Sequence, residues 1–465
     1  MRYRPVEQWT RNDPLYLPVR RSTAQRPEDS RVSVDDIRFF FTAEDPRELP
    51  KGSRDPLRFI PVWGAAGREL IPYLTTVTPS YRGFLTRFLF HGALELYELP
   101  LTSASADDQW PAFCRFEQLC AVVRTVLKQK TPWLPGSTSV PRRVKNGVLT
   151  VSSHSGDWLG KSQKTTGFWG YYHQASRGSG ILETNQADRP GYVLTPDARS
   201  AFNQSSAKDL LHELRPSLES VLLQKSASVQ IDAFHRLAEY FHAKPANELA
   251  LRRFWVEHIL IPDREGPGGE LRAAFAERAR EAATQRDSND TGALWESLCA
   301  GDPADGVTAL ARNIRATEAI IGLSEWAFDV CRMMQERMPS LQAARHWANA
   351  HGYGPEWLSR IRELQEPEDV DLQELRYIAL DNDDSFIPLA SALLDRHKAV
   401  MRRRSGAAWV TRDADDQLTI RQPAETPRDL TKHSGAVIWR YDYFLGSWLT
   451  AAREIGYLPE GAAND

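Results

Sequence analysis

The hydrophobic positions of this chain recur mostly at helical spacing. Leu210, Leu211, Leu214, Leu218, Val221 and Leu222 form one stripe, with Pro216 as an expected bend. Ile231, Phe234, Leu237 and Phe241 form the next, and Leu249, Leu251, Trp255 and Ile259 a third. From about 207 to 365 the pattern therefore predicts an all-helical array, broken by the Pro/Gly-rich residues 262–270. Upstream, a helix is expected near Asp55, where an acidic cap precedes a proline, and another over 79–98, whose apolar residues fit a single stripe only loosely. Residues 1–55 are polar and proline-rich and read as an extended arm with one buried piece at 37–42. The last hundred residues read as helix, hairpin, helix.

Between the first helices and the array the pattern changes. Ile181-Leu-Glu and Gly191-Tyr-Val-Leu flank a turn-rich segment, which predicts a hairpin. Thr195-Pro196-Asp197 then predicts a helix start, with threonine as cap and proline at the first position. An aromatic segment, 166–177, precedes the hairpin and reads as a short helix. The fold class is thus mainly α with small β-hairpins, a winged-helix-like module joined to a helical array. The expected domains are 1–100 (arm and first helices), 110–205 (the basic module), 206–365 (all-helical) and 366–465 (helices with a β-hairpin). A linker at 101–109 and the acidic run 366–374 mark two of the boundaries.

Charge sharpens this picture. The 465 residues carry a net charge of −3, so any nucleic-acid surface must be local. Nine basic residues, Arg124, Lys128, Lys130, Arg142, Arg143, Lys145, Lys161, Lys164 and Arg177, share their stretch with one acid, Asp157, and the stretch nets +8. Phosphates favour such a cluster through counterion release, which makes these nine the expected nucleic-acid contacts. The bland reading, a solvated loop, weighs about equally. A second basic cluster, Arg396 to Arg404, sits at a helix end and reads better as complementing the helix dipole.

Familiar enzyme patterns fit poorly. Ser155-Gly-Asp-Trp-Leu-Gly-Lys161-Ser162 imitates a phosphate loop, but serine holds the first glycine position and no strand ends in paired acids. His235, Glu239 and His242 share a helix face, yet the chain has no second Glu-x-x-His, and a structural role is expected. None of the eleven lysines has an acid two residues before it, which disfavours one common nuclease motif. Four scattered cysteines without a CxxC pair read as reduced core thiols of a cytoplasmic protein. No catalytic residue, cofactor or metal ligand is assigned. The longest apolar stretches are too interrupted to span a membrane, and no membrane partner is expected.

Two resemblances add context. Tyr192-Val-Leu-Thr-Pro-Asp-Ala-Arg resembles the wing and following helix of the MarR-like and PadR-like regulators. Residues 70–89, 168–182 and 395–402 together resemble an uncharacterised bacterial protein family encoded in phage-defence or DNA-modification gene clusters. That resemblance implies a bacterial source and other subunits of a multi-gene system as partners. The expected function is a non-catalytic subunit contacting nucleic acid, with duplex DNA as the first choice. The alternatives are a protein-binding scaffold that docks through its winged helix and a metal-dependent nuclease with a dispersed site.

Overall fold

A computed structural model describes residues 55–127, 144–185, 190–245, 248–263, 266, 268–285, 290–334, 339–381, 385–432, 435 and 437–459. The chain begins there with α1 (Ile60–Leu70), α2 (Tyr81–Leu96) and α3 (Ala106–Leu127). Next come β1 (Val144–Lys145), β2 (Val148–Ser152) and the short helices α4 (Gln163–Thr166), α5 (Phe168–Tyr171) and α6 (His173–Gly178). The hairpin β3 (Leu182–Thr184) and β4 (Tyr192–Leu194) leads into α7 (Pro196–Asn203), α8 (Ser206–Leu223), β5 (Ser226–Gln230) and α9 (His235–His242). Then follow α10 (Leu249–Trp255), α11 (Gly269–Gln285), α12 (Thr291–Cys299), α13 (Gly306–Met333), α14 (Leu341–Ala350), α15 (Pro355–Arg362), α16 (Val370–Leu380) and α17 (Phe386–Arg403). The hairpin β6 (Val410–Arg412) and β7 (Leu418–Ile420) and helix α18 (Leu445–Ile455) complete the order. The protein is mainly helical with small antiparallel sheets, as its hydrophobic pattern predicts. No described helix is long and apolar enough to cross a membrane.

The loose stripe of 79–98 has a simple cause. Every residue of α2 from Tyr81 to Leu94 is buried, so the helix needs no polar face. Phe84, Phe88 and Phe90 pack there against Tyr172, Phe202, Trp255, Phe113 and Phe116. Ser80 caps the helix by accepting from the Arg82 amide at 3.2 Å. The acid at residue 55 does act as a cap, but later than expected. Asp55 accepts from the Phe59 and Ile60 amides, and α1 starts five residues downstream. Helix α8 runs continuously across Pro216.

The segment 101–109 is pinned rather than slack. A 3-10 turn occupies Pro100–Ser103, α3 opens at Ala106, and Gln109 is fully buried. The Gln109 amide donates to the Leu101 and Tyr192 carbonyls and accepts from the Tyr192 amide. The described residues form a single compact unit. One buried core runs through it, from Leu57 to Leu458, and is continuous across positions 100, 206 and 366. The acidic run 366–374 supplies a cap, Asp369, for α16.

Residues 226–230 correct the all-helical reading of 207–365. They form β5, the edge partner of β2 in a three-stranded antiparallel sheet. Ala227 and Val229 point inward and Ser226, Ser228 and Gln230 outward. The other edge, β1, joins β2 through Asn146-Gly147, both with positive φ (52° and 76°). This is the two-residue turn that suits a right-handed strand twist, and it needs a residue tolerant of the left-handed region. Gly147→Ala is expected to lower stability by about 1 kcal/mol, read as a lower urea midpoint.

The hairpin β3–β4 and the helix after it match the sequence expectation. Leu182 pairs with Leu194 and Thr184 with Tyr192. Thr195 caps α7 by accepting from the Ala198 amide, and Pro196 holds the first position. The aromatic segment before the hairpin folds as two short helices, α5 and α6, instead of one, with α4 just ahead of them. Near the chain's C-terminal end, β6–β7 forms over the expected residues.

Candidate nucleic-acid interface

The nine expected phosphate contacts do not share one environment. Lys128, Lys130, Arg142 and Arg143 lie outside the described residues. Lys145 sits exposed at the β1–β2 turn. Lys161 is exposed in the turn before α4, and Arg177 is exposed in the last turn of α6. None of these three has an ion pair among the described residues. Lys164 is partly exposed and spends its charge on Asp107, Nζ to Oδ1 at 2.8 Å.

Arg124 is a correction. It is fully buried on α3, with its guanidinium 5.1 Å from the Phe241 ring centroid. Glu454 supports its charge there, against the neighbouring Arg82. No phosphate can reach it, because α9 covers the face of α3 that carries it. The charge count along the chain included this residue without regard to its face.

The loop resembling a phosphate cradle is also rearranged. Residues Ser155–Asp157 form a 3-10 turn, and α4 spans only four residues. Its buried anchor is Gln163, which donates to Glu117 at 2.7 Å and accepts from the Leu159 amide. Burial pushes the Glu117 carboxyl up to about 7, against the pull of Gln163, the Phe168 amide and Arg87. On α9, His235 and Glu239 contact each other at 3.4 Å on an exposed face. Among the described residues no group of three or more His, Cys, Asp or Glu side chains is placed to share a metal ion. In the second basic cluster, Arg396 donates to the Leu57 carbonyl, Arg404 to the Asp55 carbonyl, and His397 is buried. Arg396 and Arg404 thus hold the chain's own backbone, while Lys398, Arg402 and Arg403 are exposed.

Arg177 borders a feature that sequence reasoning missed. A cleft of about 970 Å³ lies between α1, the loop 72–78, helices α5 and α6, strand β3 and Phe444. A second exposed arginine, Arg68 on α1, also lines the cleft, over the Phe444 ring and 5.6 Å from its centroid. Half-buried Tyr73 and Tyr171 and buried Trp63 supply aromatic surface. Gly178 makes this arrangement possible, since a Cβ there would meet Tyr73 Cε1 at 2.4 Å. Phe444 is held in place by unusual backbone: Tyr443 and Phe444 both have positive φ (49° and 67°). Asp442 accepts from the Phe444 and Gly446 amides and fixes that turn. Arg68 gave no signal in the sequence, because only tertiary packing brings it to the same cleft as Arg177.

No family model matches this chain, and no match was found among curated proteins or solved structures.

Proposed function

We propose that this protein is a non-catalytic, nucleic-acid-contacting subunit of a bacterial defence or DNA-modification complex, with duplex DNA as its first-choice ligand. One observation carries the nucleic-acid part. Lys145, Lys161 and Arg177 are exposed and lack acidic partners among the described residues, in a stretch from 144 to 177 whose single acid is Asp157. Cations that no carboxylate neutralises keep their full attraction for phosphate, whereas Lys164 does not. The winged-helix reading rests on the β3–β4 hairpin followed at once by α7. The placement in a multi-gene system rests on the family resemblance alone.

The test is fluorescence anisotropy of a labelled duplex across a salt series, with Lys145, Lys161 and Arg177 changed together to Glu. Affinity is expected to fall by at least about tenfold and the log–log salt slope by about 2–3, since three phosphate contacts are removed. Thermal unfolding should not shift, because the three exposed side chains make no ion pair among the described residues. Unchanged affinity in the triple variant would reject the assignment.

A scaffold role is favoured by one feature, which lies outside the winged-helix-like module expected to do the docking. Val370 and Tyr377 lie seven residues apart on one face of α16 and are 75% and 71% exposed. Loss of an assembled subunit on Tyr377→Asp, together with no duplex binding by the native chain, would put that reading first.

A further inference from the structure

The cleft beside Arg177 has the composition of a site rather than of a packing defect. Its walls combine two exposed guanidinium groups, Arg68 and Arg177, with the side chains of Tyr73 and Tyr171. Neither arginine has an ion pair among the described residues. One acid, Glu183, lines the cleft, and part of its field falls on Arg199. The net charge of the walls is therefore positive. Its volume of about 970 Å³ lies at the upper end of the range for small-ligand sites.

Two cations lining one cleft, on α1 and α6, suit an anionic ligand. Guanidinium groups match phosphate oxygens in planar, paired fashion. Tyrosine rings offer a stacking face that tolerates any base. Exposed Ile60 and Val77 at the same opening add apolar surface, which an inorganic anion would not use. An acidic peptide would use the arginines but leave the rings without a flat partner.

We infer that this cleft binds a nucleoside phosphate: an unpaired nucleotide at the end of a strand, or the same unit free in solution. The inference rests on the nucleic-acid reading for its ligand class, and it deepens that reading. The basic stretch would hold the duplex backbone, and the cleft would take the nucleotide that leaves the stack. Arg177 would serve both, whereas Arg68 would serve the cleft alone.

That difference supplies the test. Full-length protein is titrated into a labelled blunt duplex, the same duplex with a short single-stranded 3′ overhang, and adenosine monophosphate by calorimetry. Three proteins are compared: the native chain, Arg68→Glu, and the double variant Lys145→Glu, Lys161→Glu. The overhang should bind about tenfold more tightly than the blunt duplex, the scale of one stacked base. Arg68→Glu should abolish that advantage while leaving blunt-duplex affinity within about twofold. The double variant should weaken both duplexes alike. Arg68 is exposed and has no ion pair among the described residues, its one ring contact being with Phe444, so the variant is expected to fold; circular dichroism checks this. If the native chain binds neither duplex but binds the mononucleotide in an Arg68-dependent way, the basic-stretch reading fails and the cleft assignment stands with a free ligand. If the overhang confers no advantage and the mononucleotide does not bind, the cleft assignment is overturned. An advantage that survives Arg68→Glu overturns it as well.

Discussion

Glu454→Ala is expected to cost the fold about 3–5 kcal/mol, the scale for removing one partner of a buried ion pair. Glu454 is 8% exposed and Arg82 is 9% exposed, and their charged groups are in direct contact. The carboxylate has further work. It accepts from Ser80 Oγ at 2.7 Å and from the Tyr81 amide at 3.0 Å. It therefore satisfies the first turn of α2, where helix amides otherwise lack partners. Alanine would leave the Arg82 guanidinium buried with one hydrogen bond, from Nε to the Phe241 carbonyl. Urea unfolding of the native chain and Glu454→Ala checks this. A loss under about 1 kcal/mol would refute it. The paired replacement Arg82→Met, Glu454→Leu should recover much of the loss, because it leaves no charge unpaired.

Stability is also expected to fall as pH rises, and Glu318→Gln to remove a distinct part of that fall. Glu318 sits fully buried on α13. It accepts from the Arg440 and Tyr441 amides and, at 2.8 Å, from the Tyr443 hydroxyl. Burial outweighs these donors and pushes its carboxyl from 4.5 up to about 8. The folded state therefore keeps a proton that the unfolded chain has already released. The stabilisation is fully present below about pH 4.5 and is lost as pH rises through about 8. Glutamine mimics the protonated form, since it can accept the two amides and donate to Tyr443. At about pH 9 the variant should be more stable than the native chain by a few kcal/mol, and near pH 4.5 the two should agree. Thermal unfolding of both proteins across this range decides the matter, and parallel pH profiles would refute it. Glu117, Glu325 and Glu454 are also raised by burial and are present in both proteins, so the difference between them reports Glu318 together with its coupling to Glu325.

Local signals in the sequence carried well where a residue's neighbours in the chain decide its fate. The β3–β4 hairpin and the Thr195 cap depend on turn chemistry and adjacent residues, and both are where the pattern put them. The β5 strand was legible too, in the strict alternation Ala227, Val229, Ile231, but helical stripes on both sides masked it. Asn146-Gly147 was an equally clear turn signal. The misplacement of Arg124 and the missed cleft have a different origin. Arg124 and Lys145 look alike in a charge count, yet one lies on the buried face of α3 and the other at a strand turn. A helix buried on nearly all sides gives no polar face by which to tell them apart. The cleft draws on residues from 60 to 444, and no spacing along the chain could announce it.

The link between α2 and α18 has a consequence for how the protein is made. Arg82 and its carboxylate are separated by 372 positions, and Ser447 reaches back to the Thr75 carbonyl over the same distance. At roughly 5–20 residues per second, a ribosome would need about 20–75 seconds to deliver Glu454 after Arg82 has been made. Throughout that interval the first helices emerge without the carboxylate that completes them, and their apolar surfaces lack the cover of α18. Folding of this unit therefore finishes only after nearly all of it is synthesised, which leaves the nascent chain dependent on holding chaperones and sensitive to any stall before α18.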